Sequence, residues 1–327
     1  MFLLLADITE LTIHTVMVWY LLSSIPGFII LFIKVEGWHL LRIPFSGERA
    51  KKLFIDILPF IGTTVLLYIN SYSETLFLTF MGTMAHVGVF EALGRIFIPM
   101  FMIVGALQNG IYPFIVQFQK ENLERCKQYV FYGFKFTVIM SLLMAGVSIV
   151  ITPWIIQLFT GGKYIDSIDE FMLYPWLLVP NFCLTYVLTI CLALGLQKKT
   201  FGIALSVTVF GLLLDPLLIP LFTVKGAIVA KFLANIIAWW VAVRILNEFF
   251  QDSRIKDFLV KFIPVSLVIL TGASIALYEL PIIASLVLIL SIFVILMLVT
   301  RIVDKSDLRL IQSFVVSIMS KVGIQRN

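Results

Sequence analysis

The stretches FIPVSLVILTGASIALY (262–278) and IIASLVLILSIFVILMLVT (282–300) decide the class of fold. Neither carries a charge, and each approaches the ~20 residues that an α-helix needs to cross about 30 Å of hydrocarbon. Within a bilayer every backbone N–H and C=O must find its partner inside the protein, so a spanning segment is either a helix or a strand of a closed barrel. Barrel strands alternate apolar and polar residues over about ten positions. These runs do not alternate, and the reading is all-α.

Working outward, the rest of the chain has the same character. Of its 327 residues 61% are hydrophobic and only 13% are charged, with a mean hydropathy of +1.05. Water is not the solvent for most of such a surface. Hydropathy and punctuation by turns and charges place nine spans, at 11–33, 53–81, 88–118, 129–156, 171–196, 201–222, 226–246, 262–278 and 282–300. The expected fold is a polytopic membrane helical bundle of about nine transmembrane helices. Several spans exceed the hydrocarbon thickness and must tilt, kink or project.

Lys and Arg give the orientation, because cytoplasmic loops hold an excess of them. Nineteen of the twenty-four fall in 34–52, 120–127, 198–199, 244–261 and 301–326, all on one side of a nine-span chain. Only Lys163 and Lys225 fall on the other. The expectation is a multi-pass protein of the cytoplasmic membrane with a cytoplasmic C-terminus and an outer N-terminus. Residues 1–33 lack the basic leader and small-residue cleavage site of a signal peptide, and read as a retained helix.

Residues 34–52 interleave Trp38, Leu40, Leu41, Ile43 and Phe45 with basic residues, the pattern of an interfacial linker. The tail, 301–327, has apolar residues at 308, 311, 315, 318 and 322 and reads as a surface helix on the cytoplasmic side. Cys126, Cys183 and Cys191 read as packing residues, since three apolar-flanked thiols form neither a disulfide framework nor a metal site. His14, His39 and His86 share no ligand spacing. Gly161-Gly162-Lys163 lacks phosphate-loop spacing and reads as a turn, leaving no cofactor, metal or nucleotide site.

Ionisable residues inside a span cost about 2.5 to more than 10 kcal/mol and face a cavity or a partner. Arg95, Lys135 and Lys231 are the three cations inside spans, and together they would form a cationic substrate-binding lining. Each has a plainer alternative. Glu91 precedes Arg95 by one turn and would neutralise it as an i, i+4 pair, while Lys135 and Lys231 sit near span ends where snorkelling reaches headgroups. Asp56, Asn70 and Asp215 are further intramembrane polar candidates. Asp56 reads as a helix-start residue, and Asp215 as a hydrogen-bonding group or a ligand to a coupling ion.

The block 51–246 resembles the second six-helix lobe of the multidrug, oligosaccharidyl-lipid and polysaccharide exporter superfamily, nearest to Wzx-type polysaccharide flippases. The matching strings are ILPFIG (57–62), HVGVFEALGRI (86–96), GALQNGIYPFI (105–115), GGKYIDS (161–167) and PLLIPLFTVKGAIVAKFLANII (216–237). The resemblance implies a MATE-like lobe at 53–250 and an additional two-helix hairpin at 251–300. It makes 1–33 the last helix of a first lobe that is otherwise mostly absent, which would also explain an outer N-terminus.

It further implies a flippase of lipid-linked oligosaccharide working by alternating access, with Arg95, Lys135 and Lys231 holding the pyrophosphate. Lipid-linked oligosaccharide, membrane lipids and a separately encoded first lobe are the expected partners; nucleic acid is not. The alternatives are a multidrug or other small-molecule exporter, with an acidic and aromatic cavity, and a truncated or split subunit inactive alone. A lipid-linked glycosyltransferase or ligase is disfavoured, because the longest outer loop, 157–170, is too short to carry a catalytic site.

Overall fold

The computed structural model describes residues 13–34, 47–250, 254–279 and 281–299. Its chain divides into two compact units, Met1–Ile57 and Leu58–Asn327. Helix α1 (Ile13–Lys34) lies in the first unit, contains Pro26, and carries mostly exposed apolar side chains along its described part. Helix α2 (Gly47–Met81) begins in the first unit and continues into the second. Of the expected linker, 35–46 lies outside the described residues, and 47–52 is helical and forms the first turns of α2. The expected surface helix of the tail also lies outside them.

The second unit continues with α3 (Met84–Glu121), α4 (Leu123–Thr160), the short α5 (Ile168–Leu173), α6 (Leu178–Ala193), α7 (Gln197–Phe250), α8 (Arg254–Glu279) and α9 (Ile282–Val299). Among the described residues all regular structure is helical, and six helices are long and apolar enough to cross a membrane. Two shorter apolar stretches, Ile25–Lys34 and Phe262–Ile275, accompany them. The thirty-eight residues of α3 and of α4 correspond to about 57 Å of helix. They exceed the hydrocarbon by several turns, as the long apolar runs imply. Large apolar side chains such as Phe60, Phe80, Met102, Leu221 and Ile283 stand exposed around the unit. In water that surface would drive aggregation; in lipid it is the solvated face.

Helix ends follow local chemistry. Thr83 caps α3 through a capping box: its hydroxyl accepts from His86 N–H, and His86 Nδ1 accepts from Thr83 N–H. That gives His86 a structural use. Asn122 caps α4 by accepting from Arg125 N–H at 3.1 Å. Gly161 ends α4 in the left-handed region at φ 61°, and Gly162 follows at φ 82°. The paired glycines thus make the turn read from sequence.

Helix α4 is the centre of the unit, packed on α3, α6, α8 and α9. Small residues let neighbours approach. Gly146 lies against Ile269 of α8 and Ile289 of α9, and Gly133 faces the Tyr186 hydroxyl, which donates to Val130 O at 2.9 Å. Buried Gln108 of α3 donates to Phe182 O of α6 at 3.2 Å. The span expected at 171–196 is a composite: α5, a 3-10 turn at Tyr174–Leu177 opened by Pro175, and then α6.

Helix α7 is two helices joined at Thr223, whose φ of 50° and ψ of −121° are not helical. The break falls between the expected spans 201–222 and 226–246. Those angles match the first central position of a type II′ turn, where glycine is the favoured residue. A β-branched residue there costs about 1–3 kcal/mol. Thr223→Gly is therefore expected to stabilise the protein by about 1 kcal/mol, read as a raised midpoint of thermal unfolding in detergent.

Candidate functional site: a buried ionic cluster

Helix α2 is the least enclosed of the unit's long helices and turns one stripe inward. Gly62, Thr63, Leu66, Leu67, Asn70, Ser73, Glu74, Phe77 and Leu78 are buried or half-buried, and the intervening positions are mostly exposed. Spacings of three and four residues put these on one face. The stripe is tied to the bundle by polar contacts. Thr208 of α7 donates to Leu66 O at 2.9 Å, and Thr75 donates to Glu91 Oε1 of α3 at 2.8 Å. Lys231 of α7 donates to Glu74 Oε1 at 2.7 Å and reaches Asn70 O at 3.5 Å.

Glu74 is 1% exposed and Asp215 is 0% exposed. Asp215 comes from the first half of α7 and Lys231 from the second, so the hinge at Thr223 folds them toward the same stripe of α2. Asp215 is within electrostatic reach of Glu74 and Lys231 and lies beside Ser73. The ionic cluster thus joins α2 to both halves of α7. Among the described residues Glu74 Oε2 and both Asp215 oxygens have no hydrogen-bond partner. Ser73 directs its proton instead to Asn70 O over a long 3.4 Å. Asn235, one turn after Lys231, is buried with its side-chain nitrogen unpartnered.

With both carboxyl groups ionised, two carboxylates and one ammonium in an apolar bundle leave one negative charge without a counter-ion among the described residues. Such an arrangement is expensive: breaking or leaving incomplete a buried ion pair costs several kcal/mol, and orphaned carboxylate oxygens add to it. The geometry suits a site that takes up a small cation and releases it again.

The residues singled out from sequence have different surroundings. Lys231, offered by the sequence as a cavity cation or a snorkelling residue, is in the cluster. Asp215, offered as a hydrogen-bonding group or a coupling-ion ligand, is there too, without a hydrogen-bond partner among the described residues, and Asn70 lies at its edge, its side-chain oxygen close to Gly211. Glu91 and Arg95 form no ion pair among the described residues; Glu91 Oε1 accepts instead from Thr75. Arg95 is exposed, and with Lys163, Phe159, Thr160, Tyr164, Ala92 and Ile96 it lines a groove of about 320 Å³ beside the Gly161–Gly162 turn. Neither Arg95 nor Lys163 has an acidic partner among the described residues, whereas Lys225 is paired with Asp169 at 2.8 Å.

Lys135 is buried on α4. Its position is twenty-four residues before Phe159, or about 36 Å along the helix from the level of Arg95. Arg95 and Lys135 are thus not brought together. Asp56 is exposed on α2, well inside the helix rather than at its start. Among the described residues no group of three or more His, Cys, Asp or Glu could hold a metal ion.

Glu74 is not among the intramembrane polar residues that the sequence singles out, Asp56, Asn70, Glu91 and Asp215, although it lies inside the span 53–81. The signal was present in NSYSET (70–75), a polar string about 10 Å of helix from the end at Met81. No protein-family model, no curated protein and no solved structure matches the chain.

Proposed function

We propose that this chain is a transport lobe which carries a lipid-linked oligosaccharide across the cytoplasmic membrane by alternating access, its C-terminus on the cytoplasmic side. The observation that carries the transport reading is the Glu74–Lys231–Asp215 cluster. A bundle held by apolar packing has no use for an unbalanced charge in its core, whereas a transporter uses one to couple ion movement to a change of conformation. The substrate class rests on the sequence resemblance to Wzx-type flippases and on the groove of Arg95 and Lys163, two cations without acidic partners beside the aromatic rings of Phe159 and Tyr164. Guanidinium and ammonium groups suit a pyrophosphate, and the rings suit a sugar face.

In this reading nine helices cross the bilayer, α7 supplying two of them, and α2 to α7 form one MATE-like lobe that works beside a second lobe. The excess of buried carboxylate supports a second reading, export of a cationic small molecule by the same fold.

The test uses a cell whose surface polysaccharide depends on this chain. Replacing Arg95 and Lys163 together with alanine removes two charge-assisted contacts of about 1.5–3 kcal/mol each. Export of lipid-linked oligosaccharide is expected to fall about a hundredfold or more, with membrane levels of the protein unchanged. Undiminished export by that variant would refute the assignment of the groove. Accumulation of cationic dyes in its place would favour the second reading.

A further inference from the structure

The cluster contains more acceptors than donors. An ionised carboxylate only accepts hydrogen bonds, and Lys231 satisfies one of the four oxygens of Glu74 and Asp215. The deficit is removed by a metal cation or by a proton. A metal would have to approach the same oxygens as the Lys231 ammonium, and repulsion between the two cations opposes it. A proton converts one orphaned oxygen into a donor and brings the cluster to zero charge.

We propose that Glu74 and Asp215 form a proton-exchange site, with Lys231 as its built-in counter-ion. One proton adds to a carboxylate oxygen of Asp215, forming an O–H bond, and leaves again to water. While it is bound, Glu74 and Lys231 are a neutral pair. When it leaves, Lys231 is shared between two carboxylates, and α2 and both halves of α7 are drawn together through their side chains.

The surroundings supply a route. Tyr174, buried in the 3-10 turn and stacked on Phe97 with ring centroids 5.2 Å apart, lies in the field of both Glu74 and Glu91. Glu91 is half-buried on α3, one turn from Arg95 and the open groove. The sequence groove, Glu91, Tyr174, Glu74, Asp215 thus spaces titratable groups from the end of the bundle into its core. The charged and titratable groups around the site are Glu74 from α2, Lys231 and Asp215 from α7, Tyr174 from the 3-10 turn and Glu91 from α3, with Ser73, Asn70 and Asn235 as neutral neighbours.

This deepens the transport reading, in which the proton gradient would drive the lobe, but the protonation itself is measured without any substrate. The experiment is infrared difference spectroscopy of the full chain in lipid nanodiscs, exchanged between alkaline and acidic buffer. A carbonyl-stretch band of a buried protonated carboxyl group is expected on acidification. It should be lost in Asp215→Asn or Glu74→Gln and retained in Asp56→Asn, whose carboxyl is exposed. Tyr174→Phe should leave its final amplitude unchanged and slow its appearance.

Absence of the band from the wild-type protein, its persistence in both cluster variants, or its elimination by sodium at fixed acidic pH would overturn the proposal, the last in favour of a metal cation. A band that behaves as expected, in a protein whose export ignores collapse of the proton gradient, would uphold the site and refute its use in transport.

Discussion

Lys231→Met is expected to abolish transport and to destabilise the protein by about 3–5 kcal/mol, the cost of removing one partner from a buried ion pair. Among the described residues the lysine is the only cation in a cluster with two carboxyl groups that are 1% and 0% exposed. Without it, both acids must be buried charged or be neutralised at the expense of their function. Adding Glu74→Gln to Lys231→Met removes the lysine's direct partner and leaves Asp215 as the one buried acid of the cluster. The double variant should recover part of the thermal stability lost in Lys231→Met, measured in detergent, and transport should stay absent. Two single losses that simply add would mean that the two side chains act independently, against the 2.7 Å contact between them.

Gly226→Ala is expected to cost about 1–3 kcal/mol or more, the range for overpacking. A methyl group at this position would collide with Leu218 O and come within 2.6 Å of Leu218 C and 3.0 Å of Ile219 N. These are backbone atoms, which cannot rotate away as a side chain can. The two halves of α7 pack at this point, and opening them would also separate Asp215 from Lys231. Loss of the folded fraction, measured by fluorescence-detected size exclusion, should therefore accompany loss of transport. Gly94→Ala is the matched control. No atom lies within 4 Å of its new methyl, and alanine is the better helix former by about 1 kcal/mol, so that variant should be unchanged or more stable. Equal behaviour of the two variants would refute the close packing at Gly226.

The difference between these two glycines shows where sequence reading stops. Both lie in apolar helical segments, and although Gly226 opens a span and Gly94 lies within one, nothing in HVGVFEALGRI (86–96) or VKGAIVAKF (224–232) says which of them is closely packed. The distinction comes from Leu218, which the turn at Thr223 folds back against one of them. Arg95 and Glu91 teach the same lesson. Their i, i+4 spacing allows an ion pair, but among the described residues they form none, and Glu91 accepts from Thr75 on the neighbouring helix.

The sequence by itself determined that the chain is helical and suited to lipid. In a solvent without hydrogen-bonding capacity an uninterrupted apolar run must satisfy its backbone internally, whatever its neighbours are. It also determined where α7 breaks, because its two apolar runs part near Lys225, and the turn at Gly161–Gly162, where the glycines set the backbone. Only the tertiary structure decided which charges meet. Glu74 and Lys231 are 157 residues apart, and their contact depends on the rotation of α2 about its axis and on the angle at which α7 folds back. Packing across the whole unit sets both, and no run of residues encodes either one locally.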